Sequence, residues 1–268
     1  MNGLLAGLED ASGVRFADCR AFVGTSAGSI VAARLVAGRE LRRPGTRPRA
    51  ASPGNGSPRG GVLRDAVAVG WRATAPLAPL ALAASAPAGA AVRSLALARV
   101  PAGRYPLDDL HRRVGGWRAR FDGRLRVCTV DRANGRRVVF GAPGAPKASV
   151  ADAVQASCAI PGVFKPVRID GHQYVDGGAW SVTNLDAAPV SRGSRVLCLE
   201  PTGALGLRGA AFRVATEIEL QVLRRRRVEV QRVLPDADSA ALMSVLMDGR
   251  PLAKVIAAAY AQGLAQAS

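Results

Sequence analysis

The residues with the plainest chemical potential are Gly24-Thr25-Ser26-Ala27-Gly28. A serine flanked two residues away on each side by glycine can be lifted clear of the backbone on a sharp turn. An alcohol presented in that way attacks an acyl carbon when a neighbouring base takes its proton. The surroundings suit such a turn, because an apolar run, Ala21-Phe22-Val23, leads into it and a small-residue helical pattern follows at once. A helix opening at Ser26 also aims unpaired N–H groups and a positive dipole end at any nearby oxyanion, with the Ala27 N–H the first available donor. The plainer alternative is an ordinary strand-to-helix turn in which Ser26 serves only as a cap.

An element on each side has to position that turn. Residues 20–24 read as the incoming strand and 26–38 as the outgoing helix. Upstream, Leu4, Leu5, Leu8 and Ala11 recur at helical spacing, so 2–12 is expected to be an amphipathic helix ended by Ser12-Gly13. A parallel α/β protein usually leads with a strand, so this opening helix is atypical. Downstream, Asp108 and Asp109 mark a helix start, and Leu125–Asp131 alternates as a strand. Asn134-Gly135 is a hairpin turn and 137–140 the return strand. A helix over 150–158 is broken by Pro161-Gly162. Strand-like residues 168–170 turn at Gly171 into 173–175, which ends at Asp176-Gly177-Gly178, a sequence that taken alone is a simple turn. Residues 195–199 form a further buried strand. The tail reads as mainly helical, with Arg224–Arg227 on an exposed face.

Two stretches stand apart. Residues 42–61 are rich in Pro, Gly and Arg and are expected to form a mobile basic loop. Ala73 to Val92 carries no charge, but Pro76, Pro79, Pro87 and Gly89 argue against a membrane span. Residues 62–100 are therefore expected to be short helices packed on the sheet. No internal repeat divides the chain, and one domain over 1–268 is expected.

Composition narrows the partners. Of 268 residues 49% are hydrophobic, enough for a sizeable core, and 37 basic against 20 acidic residues give a net charge of +17. That charge favours an anionic membrane face or simply a solvated basic surface. No nucleic-acid partner is expected, because zinc spacing, aromatic RNA-binding motifs and a long basic helix are all missing. Cys19, Cys128, Cys158 and Cys198 are widely spaced, with no C-x-x-C, and read as buried free thiols in a reducing compartment. With no signal-peptide pattern at Met1–Leu5, a cytoplasmic location, peripheral at the membrane, is expected. No cofactor or metal is expected, and no EF-hand spacing offers a calcium site.

The turn at Ser26, followed by Ala156-Ser157-Cys158-Ala159-Ile160-Pro161-Gly162-Val163-Phe164 and then Tyr174-Val175-Asp176-Gly177-Gly178, resembles bacterial patatin-like phospholipases. The resemblance spans most of the chain. It implies a three-layer α/β/α fold with a mainly parallel central sheet, here lacking the first strand. It also implies hydrolysis of lipid or other carboxylic esters by a Ser–Asp dyad without histidine. By position, Ser26 would be the nucleophile and Asp176 its proton acceptor, with Gly24, Ala27, Gly28, Gly177 and Gly178 shaping the motif and the oxyanion backbone. The scarcity of histidine agrees, since His111 and His172 are the only two and neither follows Asp176, whereas a serine triad of the α/β-hydrolase type ends in histidine. Ser26 with Asp131 or Asp152 and His172 is the competing set, but His172 falls in a hairpin turn and reads, like His111, as structural.

Family members carry a Gly-Gly-Gly-x-Arg-Gly loop ahead of the first helix, whose N–H groups bind the oxyanion. No such run precedes residue 2 here, and Gly60-Gly61 comes after the elbow. Removing one oxyanion donor costs on the order of 10²–10³ in turnover. Weak hydrolysis is therefore expected of the chain as written, and the competing reading is a catalytically deficient, basic, lipid-binding protein at the membrane surface.

Overall fold

The computed structural model describes residues 1–46, 89–201, 210–246 and 252–267. The chain opens with α1 (Asn2–Ser12), ended by Gly13 at φ 71°, and continues through β1 (Phe22–Thr25) and α2 (Ala27–Val36). After α3 (Gly89–Arg99) and α4 (Asp108–Gly115) come β2 (Leu125–Asp131) and β3 (Arg137–Phe140). Next are α5 (Val150–Ser157), β4 (Val167–Ile169) and β5 (His172–Asp176). The C-terminal part holds β6 (Arg195–Leu199), α6 (Ala210–Arg225), β7 (Glu229–Val233), α7 (Ala237–Leu246) and α8 (Leu252–Ala267). The elements expected from the sequence over residues 2–12, 125–140 and 150–199 are in place to within a few residues. So are the three buried free thiols, Cys128, Cys158 and Cys198, with Cys19 half-buried and also free. The basic run 224–227 is exposed, as expected.

The tail is not wholly helical. Glu229-Val230-Gln231-Arg232-Val233 is a strand; Gln231 and Arg232 interrupt the polar–apolar alternation, so the sequence signal for it is weak, although burial alternates along it. Of the Pro/Gly/Arg-rich stretch 42–61, residues 47–61 lie outside the described residues. So do 62–88 of the Ala/Leu-rich stretch, whose end forms α3.

β2 is the backbone of the site. Six of its seven residues are buried, as expected for a strand covered on both faces and paired on both edges. β3 runs antiparallel to it over Val127–Val130, β1 parallel over Leu125–Cys128, and β5 antiparallel over Thr129–Asp131. A β2 residue has one neighbour on each edge. Both β1 and β5 overlap β3 along β2, so they must share the edge that β3 leaves free. They therefore lie end to end on that edge, β1 rising and β5 descending, with their C-terminal tips meeting. Thr25 is opposite Cys128 and Asp176 is opposite the next residue, Thr129. β4 pairs antiparallel with β5. The sheet is thus mixed: β1–β2 is parallel, as is the separate pair β6–β7, and the other pairings are antiparallel.

Helices cover both faces. α2, α4 and α5 pack Ala33, Leu110, Val114 and Val154 on Leu125, Val127 and Tyr174, while α3 sets Leu97 against Val130 and Val175 from the other side. α5 begins with a capping box, Ser149 Oγ accepting from the Asp152 N–H and the Asp152 carboxylate accepting from the Ser149 N–H. α1 bridges β1 and β6: Leu5 packs in one cluster with Phe22, Leu197 and Leu199. It also presses against α8 so closely that a methyl at Gly7 would lie 2.2 Å from the Tyr260 carbonyl oxygen, and one at Gly263 2.3 Å from that of Leu4.

Between β1 and β6 lies a cleft of about 1390 Å³. Among the described residues β1 pairs only with β2 and β6 only with β7, so both strands present an unpaired edge to it. Val23 and Thr25 line one wall, Val196 and Cys198 the other, and Ser26 and Asp176 stand at its end.

Candidate active site

The site grows from the meeting of the two strand tips on β2. Ser26 has φ 51° and ψ −124°, a backbone few L-residues adopt and one that a sharp strand-to-helix turn imposes. Its side chain makes no capping bond to α2, so the cap reading does not describe it. The turn is tight because Gly24 lets the helix fold back on the strand, where a Cβ would sit 2.4 Å from the Ser29 Cα. The backbone of Ser26 is held at both ends. Its N–H donates to Ser157 Oγ at 2.9 Å, and Ser157 Oγ in turn donates to the Cys128 carbonyl at 2.7 Å. Its carbonyl accepts from the Ser29 N–H (2.9 Å) and Ser29 Oγ (2.6 Å).

Asp176 ends β5 with only 5% of its surface exposed. The chain leaves it through the short turn Gly177–Ala179, where a methyl on Gly177 would approach the Cys128 carbonyl oxygen to 2.3 Å. The Gly178 N–H folds back to donate to Asp176 Oδ1 at 2.7 Å. Burial pushes the carboxyl up to about 6, and the hydrogen bond from the Gly178 N–H and the nearby Ser26 hydroxyl offset part of that rise. The carboxylate is thus weakly hydrated, more basic than usual, and within reach of the serine.

Ala27 and Gly28 open α2, where helix geometry leaves their N–H groups without intrahelical partners. The Ser29 N–H is already engaged by Ser26. Ala27 is exposed, and the space beside Gly28 is open, with nothing within 4 Å of where a Cβ would stand. Both residues line the cleft beside Ser26, so the start of α2 borders it there.

The structure brings Ser26, Asp176, Gly24, Ala27, Gly28, Gly177 and Gly178 together at one place. It leaves both histidines elsewhere. His111 Nε2 pairs with Asp152 Oδ1 (3.0 Å) and His172 Nδ1 with Asp131 Oδ2 (2.9 Å). His172 begins β5, about 13 Å along the strand from Asp176 at ordinary strand rise. Among the described residues no cluster of three His, Cys, Asp or Glu side chains could hold a metal, and no helix is long and apolar enough to cross a membrane. Reading the sequence for reactive groups missed Ser157, Ser29 and Asn184, which hold the site without carrying a reactive charge. Ser157 lies within the Ala156–Phe164 stretch, but nothing in its neighbours announces a bond to residue 26.

A family model for patatin-like phospholipases matches residues 3–189, from α1 past the turn after Asp176. The chain belongs to the patatin-like phospholipase family, whose members are in general lipid acyl hydrolases, and its mixed α/β architecture is the fold of that family.

Proposed function

We propose that this protein hydrolyses lipid or other carboxylic esters through an acyl-enzyme, with Ser26 as nucleophile and Asp176 as general base and acid. Ser26 Oγ attacks the ester carbonyl carbon while its proton passes to the Asp176 carboxylate. The resulting oxyanion is met by the Ala27 and Gly28 N–H groups and the positive end of α2. Collapse of the tetrahedral intermediate breaks the bond to the alcohol, which leaves with the proton from Asp176. Water then attacks the acyl-serine and gives its proton to Asp176, which passes it to Ser26 Oγ as the acyl–oxygen bond breaks and the acid is released. The cleft of about 1390 Å³, walled by apolar strand residues, offers room for an acyl chain.

The observation that carries the reading is the tip-to-tip meeting of β1 and β5 on β2, with Thr25 and Asp176 opposite consecutive residues. A pair about 150 residues apart in sequence is joined there at the end of an open cleft. With two helix N–H donors as the oxyanion site, turnover is expected to be weak. The net charge of +17 supports approach to an anionic membrane surface, and the packing of α1 on α8 supports treating residues 1–268 as one domain.

Turnover of a p-nitrophenyl ester tests the reading. Ser26→Ala and Asp176→Asn are each expected to lower kcat by ~10³ or more. Equal turnover by wild type and Ser26→Ala would remove the serine from the reaction. Binding to anionic vesicles with no Ser26-dependent hydrolysis would favour the lipid-binding alternative.

A further inference from the structure

A side chain with no reactive chemistry of its own joins the two halves of the site. Asn184 is fully buried, at φ 48° and ψ 38°, ahead of the short turn Leu185–Ala187. Its Nδ2 donates to Thr25 Oγ1 (3.0 Å), the Gly177 carbonyl (3.3 Å) and the Ser181 carbonyl (2.5 Å), and its Oδ1 accepts from Arg137 Nη1 (3.2 Å). The orientation of the amide is forced. A guanidinium only donates and a carbonyl only accepts, so the oxygen faces Arg137 and the NH₂ faces Thr25 and Gly177. Thr25 immediately precedes Ser26, and Gly177 immediately follows Asp176. We propose that Asn184 is a positioning residue for ester hydrolysis, its carboxamide clamping the tip of β1 to the Asp-Gly-Gly turn and so setting the distance between Ser26 and Asp176.

The clamp answers a weakness in the sheet. β1 and β5 are each registered by β2, but they lie end to end, and no ladder joins one to the other. Ser157 ties Ser26 to β2, while Asn184 ties β1 directly to the turn beyond β5. The clamp is itself braced. Ser181 Oγ accepts from the N–H groups of Thr183 and Asn184, each at 3.3 Å. Glu219 Oε2 accepts from Thr183 Oγ1 (2.6 Å) and the Leu185 N–H (2.8 Å). Arg137, paired with Asp186, lies 5.2 Å from the Trp180 ring centre, so its position is fixed as well. A displacement of about 1 Å between reacting groups costs on the order of 10²-fold in rate, so a buried clamp at this point has leverage over turnover.

This inference rests on the Ser26–Asp176 reading, and two readouts separate them: steady-state turnover of a p-nitrophenyl ester, and titration of the Asp176 carboxyl by ¹³C NMR. Asn184→Gly keeps the left-handed backbone and removes the clamp. Asn184→Asp keeps the shape and the Arg137 contact but turns an acceptor toward two carbonyl oxygens. Both are expected to lower kcat roughly 10–100-fold with KM changed less than about threefold, and Thr25→Val added to Asn184→Gly is expected to lower it little further. In both, the Asp176 titration is expected to fall from about 6 toward the ordinary 3.8 as the turn loosens and water enters. Thr25→Val alone removes only the β1 acceptor and gives the same readouts if the loop variants do not fold. An Asp176 titration identical to wild type in the folded variants overturns the clamp, as does a loss confined to KM. If Ser26→Ala retains wild-type turnover, the hydrolase reading fails, and the titration still decides whether Asn184 holds the two tips together.

Discussion

The two edges of β1 are built for opposite purposes. The inner edge is paired with β2 and ends at Ser26, where each backbone group described is bonded and a single added methyl at Gly24 or Gly177 collides with main chain. The outer edge borders an open cleft, carries no strand among the described residues, and passes to Gly28, beside which there is free space. Groups that must react within a fraction of an ångström sit where packing leaves no slack, and room for a substrate lies where the sheet is unpaired. The difference also follows the chain: the tight side lies within residues 3–189, which match the family, while the far wall of the cleft is β6, beyond them.

The largest way to break this contrast is a methyl on either side of Ser26. Gly24→Ala is expected to lose several kcal/mol of stability and nearly all turnover, because strand and helix backbone must separate to admit it. Gly28→Ala is expected to change stability by less than about 0.5 kcal/mol. Thermal melts of the two variants decide it, and equal destabilisation would contradict the asymmetry.

The next effect lies in Asp176 and pH. As a base it must be ionised, so kcat/KM is expected to rise about tenfold per pH unit below about 6 and to level off above it. For stability the sign is opposite. The folded carboxyl titrates near 6 and the unfolded one near 3.8, so the folded protein holds the extra proton between them. Stability therefore falls as pH rises through that window, by up to about 3 kcal/mol at neutral pH. Asp176→Asn is accordingly expected to be inactive yet more stable than wild type at pH 7 by ~1–3 kcal/mol, with the gain vanishing near pH 4 in denaturant titrations. The smallest effect belongs to the open side. Val196→Trp, filling the cleft wall, is expected to lower turnover of a long-chain ester ~3–10-fold while leaving an acetyl ester unchanged.

Much of this was legible in the residues. The Gly-Thr-Ser-Ala-Gly turn and the Asp-Gly-Gly turn carry local signals, since sharp turns and close backbone approach demand glycine, and the strands over 125–140 announce themselves by alternation and Asn134-Gly135. The register that joins the two turns was not legible. It depends on which edge of β2 each strand takes, and that choice is made by β3 occupying the other edge. Asn184 and Ser157 were invisible for a related reason: their hydrogen bonds reach residues 159 and 131 positions away, and neither residue type at its position carries a reactive signature. β7 was not legible, because Gln231-Arg232 break its period of two and helical patterns flank it on both sides.

The most direct test of the paired Ser26 and Asp176 is covalent capture by a fluorophosphonate ester, with the modified residue located by mass spectrometry. The expected result is a single adduct on Ser26, forming faster as pH rises through about 6 and suppressed in Asp176→Asn. An adduct on another residue, or labelling of Ser26 at the same rate in Asp176→Asn, would contradict it.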